Sequence, residues 1–99
     1  MSDSAFARFM RKSRESRLWP LADLSRAAGL SQSEVSRIES GARLPTMRHV
    51  KGLAEAFSSS PKTAENEPVR YESWVAHLVD LGERARIDAR SGPGRWSRR

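Results

Sequence analysis

Apolar residues recur every three to four positions in five stretches of the chain, and this spacing places them on one face of an α-helix. In the first stretch Phe6, Phe9 and Met10 share a face, and Asp3 or Ser4 can cap the helix. The predicted helices cover residues 3–17, 20–28, 32–40, 47–57 and 70–89. The pattern therefore predicts an all-α fold of five helices.

The junction between the second and third predicted helices combines a stop signal with a start signal. Gly29 suits the left-handed residue that ends a helix, and Ser31 with Glu34 can form a capping box. Pro20 fits the first position of the second helix, where its missing N–H has no intrahelical partner. Two short helices joined by a turn containing glycine are typical of a helix-turn-helix, whose second helix enters the DNA major groove.

The third predicted helix has distinct inner and outer faces. Val35 and Ile38 lie one turn apart and are expected in the core, with Leu30 below them. This orientation turns a set of polar side chains outward, namely Gln32, Ser33, Ser36, Arg37 and Ser40. Except for Arg37 these side chains are short and polar, so the helix can approach base edges closely without apolar bulk between them.

The fourth predicted helix follows an exit loop that begins at Gly41, and Thr46 is its expected N-cap. Its inner stripe is predicted to consist of Met47, Val50, Leu53, Ala54 and Phe57. His49, near the start of this helix, is interpreted as an ordinary surface histidine.

Residues 58–68 contain no apolar side chain larger than alanine or proline, which predicts a linker between residues 1–57 and an amphipathic helix within 69–90. The apolar stripe of that helix either covers the chain's own core, pairs with a second copy, or fills a groove on another protein. We favour dimerisation, because an isolated stripe would be a sticky surface on a monomer. The predicted dimer interface consists of Tyr71, Trp74, Leu78 and Leu81.

Residues 91–99 are predicted to form a basic tail after the last helix. Gly92, Pro93 and Gly94 prevent the helix from continuing, and Arg95, Arg98 and Arg99 follow them. Such a tail is either a disordered solubilising end or an arm that contacts phosphates or the minor groove.

Composition adds a bias towards a polyanionic partner. The 99 residues suffice for one small domain, and the net charge is +6. Fifteen of the eighteen basic residues are arginine, whose planar fork can bind a guanine edge or a phosphate with two hydrogen bonds. A basic solvated surface would have the same composition, so charge alone does not decide. The chain has no cysteine, and no apolar run approaches the length of a membrane span.

Three segments together resemble the phage repressor/Cro (Xre-type) family of transcriptional regulators. These are residues 24–31 (LSRAAGLS), 35–41 (VSRIESG) and 53–57 (LAEAF), with Pro45 ahead of the last. The resemblance extends from the first predicted helix to Phe57. It implies a five-helix, repressor-like helix-turn-helix domain, in which the fifth helix of this chain is lengthened.

The resemblance also implies roles for individual residues. Gln32, Ser33 and Arg37 correspond to base-contacting positions, and Ser31, Ser36, Arg43 and Arg48 to contacts with the DNA backbone. Arg14 is implied to form a structural pair with Glu39. One position departs from the family, since many members have a phosphate-binding Gln where this chain has Leu21, which cannot form a hydrogen bond.

The function implied by the resemblance is that of a sequence-specific transcriptional regulator, with repression favoured. It would act as a homodimer on a palindromic site in double-stranded DNA, in the cytoplasm at the nucleoid. The alternative is an antitoxin or an RNA polymerase adaptor that binds a toxin or the polymerase through its C-terminal helix. Catalysis is not expected, because the chain has two histidines and neither a HExxH motif nor a phosphate loop. No cofactor, metal or membrane partner is expected.

Overall fold

The computed structural model describes residues 4–63 and 65–90, with the side chains of the last helix described as far as Ala85. Five helices follow one another as α1 (Ala5–Ser16), α2 (Leu21–Ala28), α3 (Gln32–Ser40), α4 (Met47–Ser58) and α5 (Tyr71–Arg90). The predicted all-α fold is confirmed, and these described residues contain no strand. The predicted basic tail at 91–99 lies outside the described residues.

The helix ends follow local capping chemistry. Ser4 caps α1, because its Oγ accepts the N–H of Ala7 at 3.1 Å. Pro20 is the N-cap of α2, with extended backbone, and is not the first helical residue as predicted. Gly29 (φ 69°) ends α2 and Gly41 (φ 82°) ends α3, both in the left-handed conformation that glycine adopts without steric cost.

The core lies where α5 packs along α1 and α4. Trp74 of α5 stacks on Phe57 with 4.9 Å between ring centroids, and its ring lies 5.7 Å from that of Phe9. Gly52 allows α4 to approach the end of α2, because a Cβ at this position would collide with the Ala28 carbonyl oxygen. This packing supports the helix-turn-helix from behind.

The predicted dimer interface on α5 is wrong for three of its four residues. Trp74, Leu78 and Leu81 are 1%, 0% and 8% exposed within a single chain, so they are not available to a second copy. Tyr71 is the member of the set that remains 37% exposed. The physical reason is that α1 and α4 leave an apolar face open, and burying α5 against it removes both apolar surfaces from water. The stripe therefore covers the chain's own core, as the first of the three alternatives has it.

The segment between α4 and α5 is bound tightly to the domain. Residue 58 belongs to α4, and Glu67 is only 4% exposed. Arg17 forms two hydrogen bonds with the Glu67 carboxylate, at 2.9 and 3.0 Å. The Arg17 guanidinium also lies 5.0 Å from the ring centroid of Phe57, with the rings of Trp19 and Trp74 at 5.8 and 5.9 Å. The segment predicted as a linker thus contributes a buried ion pair to the same core.

The inner face of α4 differs from the predicted stripe at its start. Val50, Leu53, Ala54 and Phe57 are buried as predicted, but Met47 is 49% exposed. His49 is 0% exposed, so its interpretation as a surface histidine is wrong. The ring is turned inward because Nδ1 accepts the backbone N–H of Thr46 at 2.9 Å.

Candidate nucleic-acid interface

The third helix is held in place by its caps and by its apolar side. Ser31 Oγ accepts the N–H of Glu34, and Glu34 Oε1 accepts the N–H of Ser31, both at 3.0 Å. This reciprocal pair is the predicted capping box. Val35 and Ile38 are 0% and 1% exposed, while Leu30 is half-buried against the core. The helix is therefore fixed on one side and solvent-exposed on the other.

The outer face of α3 carries the polar residues that the sequence places there. The exposed members are Gln32, Ser33, Ser36, Arg37 and Ser40. Within the described ranges no carboxylate pairs with Arg37, because Glu34 binds Arg48 instead. The Arg37 guanidinium is thus available for a ligand, and its five N–H donors can bind two acceptors at once.

The C-terminal end of α3 is anchored to α1 by two arginines. Arg14 Nε donates to Glu39 Oε2 at 2.6 Å, and Arg14 Nη2 donates to Glu39 Oε1 at 3.1 Å. Arg11 Nη1 donates to the Glu39 carbonyl oxygen at 2.9 Å. The hydrogen bonds with the Glu39 carboxylate raise the pKa of Arg14 above its ordinary value, although partial burial opposes this. These bonds fix the orientation of α3 and leave its outer face unoccupied.

The residues expected at the DNA backbone lie in different surroundings. Ser31, Ser36 and Arg43 are exposed. The Arg48 side chain is 61% exposed, and its guanidinium donates to Glu34 Oε2. Leu21 is half-buried and packs against the core, so the departure from the family replaces a polar contact with an apolar one.

Glu34 is the most connected acidic residue of this surface. Its Oε1 caps α3, and its Oε2 faces both Arg48 and Nε2 of His49, the latter at 3.4 Å. The Ser31 N–H and then the Arg48 guanidinium stabilise the ionised carboxylate and lower the pKa of Glu34 to about 2. Glu34 therefore stays charged at any physiological pH.

Two organising residues were not identified from the sequence, namely His49 beside this surface and Arg17 in the core behind it. The signal for His49 is its spacing from Thr46, since three positions separate the two members of a capping box and His takes the place of Glu or Gln. Nothing in the sequence marks Arg17, whose partner Glu67 is fifty positions away.

Residues 4–63 and 65–90 contain no group of three or more metal-ligating side chains. No helix in these ranges is long and apolar enough to cross a membrane.

A comparison of the sequence with models of protein families gave a match. A model of the helix-turn-helix family matches residues 10–62, which is just over half of the chain and runs from α1 past the end of α4. The comparison with curated proteins gave no match. The comparison with solved structures gave none either.

Proposed function

The chain belongs to the Xre/Cro/C1-type helix-turn-helix family of DNA-binding transcriptional regulators, and we propose that it is a repressor that reads a palindromic operator as a homodimer. The observation that carries this proposal is the outer face of α3. That face is polar, exposed and backed by a fully buried apolar side. A helix of nine residues with these properties fits the major groove, which admits one α-helix.

The base contacts are assigned to the outer side chains nearest the start and middle of α3. The Gln32 amide can form two hydrogen bonds with an adenine edge, and the Arg37 guanidinium can form two with guanine O6 and N7. Ser33 has a hydroxyl that can donate or accept, so it suits several bases. Each well-formed bidentate contact discriminates against the wrong base by about 1–3 kcal/mol.

The backbone contacts are assigned to residues around this helix. The Ser31 and Ser36 hydroxyls can donate to phosphate oxygens, while Arg43 provides positive charge in the exit loop after α3 and Arg48 provides it in the first turn of α4. Such contacts set the position of the protein on the duplex and carry no sequence information of their own. They supply most of the salt-dependent part of the affinity.

Two copies are proposed because one α3 contacts only a few base pairs. A site of only a few base pairs recurs throughout a genome. When two copies bind the two halves of an inverted repeat, their preferences for the correct sequence multiply, so the preference of the dimer is the square of that of one copy. The two half-sites would be about 34–36 Å apart, or a multiple of one helical turn. The apolar stripe of α5 is excluded as the surface that joins them, because it is buried in the core.

Repression requires nothing beyond occupancy of the operator, since a bound dimer excludes other proteins from the same DNA. A regulator of this kind acts at the nucleoid. The alternative, an antitoxin or a polymerase adaptor that uses the C-terminal helix, is not favoured by the structure. Its binding surface would be the apolar stripe of α5. The side chains of that stripe, Trp74, Leu78 and Leu81, are buried in the core of the chain itself.

The decisive experiment is the selection of bound sites from random double-stranded DNA at fixed salt. An enriched inverted repeat, bound by two copies in sedimentation analysis, is the expected result. A reporter driven through that repeat should fall in activity when the protein is expressed. A flat selection profile would refute sequence-specific binding, and a single enriched half-site would refute the dimer.

A further inference from the structure

The first turns of α3 and α4 are connected by a polar contact that no sequence pattern predicts. The carboxylate of Glu34, in the first turn of α3, faces the ring of His49, in the first turn of α4, with 3.4 Å between Oε2 and Nε2. The same oxygen accepts from Arg48. The side chains of His49 and Glu34 are 1% and 18% exposed, so the contact is largely shielded from water.

The hydrogen bonds of His49 determine which ring nitrogen carries the proton. Nδ1 accepts the Thr46 backbone N–H at 2.9 Å and also faces the Thr46 hydroxyl at 3.0 Å. Because Nδ1 accepts, the neutral ring carries its proton on Nε2. That N–H points at Glu34 Oε2, so His49 closes the capping box of α4 with one nitrogen and donates to α3 with the other.

From this geometry we propose that His49 is a positioning residue for DNA binding, which acts through Glu34 to fix the start of α3 relative to the start of α4. The inference rests on the proposed function. Gln32 and Ser33 lie in the first turn of α3, and Arg48 lies beside His49 on α4. The carboxylate of Glu34 therefore links the base-contacting start of α3 to the phosphate-contacting start of α4, and of its two partners there His49 is the buried one.

The contact matters for readout because bidentate hydrogen bonds tolerate little displacement. A binding group must be held within about 0.5 Å of its productive position, and supporting hydrogen bonds provide that constraint. The hydrogen bonds that form each capping box stay within one helix, and it is the second carboxylate oxygen of Glu34 that accepts from His49 and Arg48 of α4. The hydrogen bond between Glu34 and His49 joins the two helix starts, so its removal should shift one relative to the other with both caps intact.

Two substitutions at the same position separate this bond from capping. In His49→Gln the amide oxygen can accept the Thr46 N–H, and the amide nitrogen can donate to Glu34. In His49→Glu the carboxylate caps α4 equally well, but it has no donor and repels Glu34. Lys51→Gln is the matched control, because it changes the net charge by the same amount on an exposed residue of α4.

The DNA measurement is the ratio of affinity for the selected operator to affinity for unrelated DNA, by fluorescence anisotropy at fixed salt. His49→Gln should keep the wild-type ratio. His49→Glu should lower it by about five- to a hundredfold, which is the discrimination of one base contact. Lys51→Gln should weaken binding to both DNAs alike and leave the ratio unchanged.

A second measurement uses the protein without DNA. Ring nitrogen shifts in an NMR spectrum should show the Nε2-protonated tautomer, and the backbone amides of Gln32 and Ser33 should move in His49→Glu but not in His49→Gln. If His49→Glu fails to fold, Glu34→Gln replaces it. That variant keeps an acceptor for the Ser31 N–H and removes the carboxylate oxygen that accepts from both His49 and Arg48. Arg48→Gln, which loses only the second of these contacts, should leave the Gln32 and Ser33 amides in place, and Glu55→Gln is the charge-matched control.

The outcomes separate this inference from the proposed function. An unchanged ratio in His49→Glu, or an equal loss in both His49 variants, overturns the positioning role even though operator binding stands. A wild-type protein without operator preference overturns the proposed function, and the positioning role with it. The amide shifts then report whether the bond itself holds α3, because that measurement needs no DNA.

Discussion

Arg17 and Arg48 each bind one glutamate, yet the two ion pairs lie in opposite surroundings. The side chains of Arg17 and Glu67 are 3% and 2% exposed and are surrounded by aromatic rings. The Arg48 side chain is 61% exposed, at the edge of the proposed DNA surface. The same two residue types therefore form a structural pair in one place and part of a binding surface in the other. Burial decides which role an arginine can take.

The buried pair is stable only as a pair. Burial on its own would raise the pKa of Glu67, but the hydrogen bonds from Arg17 and from the Thr63 N–H outweigh it and hold that pKa below its ordinary value. The Arg17 guanidinium is buried and forms two hydrogen bonds with Glu67, so it cannot reach a phosphate. The exposed pair keeps one face of Arg48 in water, where a phosphate can approach.

The largest expected effect comes from removing one partner of the buried pair. Glu67→Gln should lower the free energy of unfolding by about 3–5 kcal/mol, because it leaves the Arg17 charge buried without a counter-charge. Denaturant unfolding followed by circular dichroism measures this. The double variant Arg17→Met with Glu67→Leu is the control and should be much less destabilised, since neither charge remains. A decrease of less than about 1 kcal/mol in the free energy of unfolding of Glu67→Gln would show that the ion pair is exposed to solvent.

The next effect concerns Arg37, an exposed arginine of α3 that has no carboxylate partner in the described part of the chain. Arg37→Ala should cost about 1–3 kcal/mol at one or two operator base pairs and relax the preference there, because alanine cannot form the bidentate hydrogen bonds to a base. Site selection with the variant measures the change. Arg84→Ala, at an exposed arginine of α5, is the control and should leave every preference as it was. An unaltered operator profile for Arg37→Ala would remove Arg37 from the interface.

A smaller and more uniform effect is expected at the exit loop. Arg43→Ala should weaken binding to all sequences alike, because a phosphate contact carries no base information. The slope of log affinity against log salt should become shallower by about 1.8 for the proposed dimer, since each of its two subunits neutralises one phosphate fewer. Titrations of operator and unrelated DNA at several salt concentrations give both numbers. A weakening confined to the operator would instead identify Arg43 as a base-reading residue.

The smallest effect is the acid dependence of the exposed pair. The pKa of Glu34 is about 2 in the folded protein against an ordinary value of 4.5, so its contribution to stability is complete above pH 4.5 and is lost as the pH falls towards 2. Urea unfolding midpoints between pH 7 and pH 2 should fall less steeply for Glu34→Gln than for wild type. Parallel curves for the two proteins would mean that Glu34 is not stabilised in its charged form.

Residues close together in the sequence were enough to predict the helices and the polar surface of α3. The capping box of Ser31 and Glu34, the glycine ends at Gly29 and Gly41, and the buried Val35 and Ile38 all depend on residues within one or two turns. Local patterns did not reveal contacts between distant side chains, and the pair of Arg14 and Glu39 came from the family resemblance alone. His49 is turned inward by Thr46 but faces Glu34 fifteen positions away, and Arg17 meets Glu67 fifty positions away.

The amino-acid sequence by itself determined, to within about two residues, where each helix starts and stops, and it determined which side of α3 is polar, because capping and helical periodicity act over a few residues. Only the tertiary structure decided that the apolar stripe of α5 lies inside the molecule, that the Arg17 side chain is buried and that the Arg48 side chain is exposed to solvent. Burial depends on which other helix lies opposite, and no local pattern contains that information.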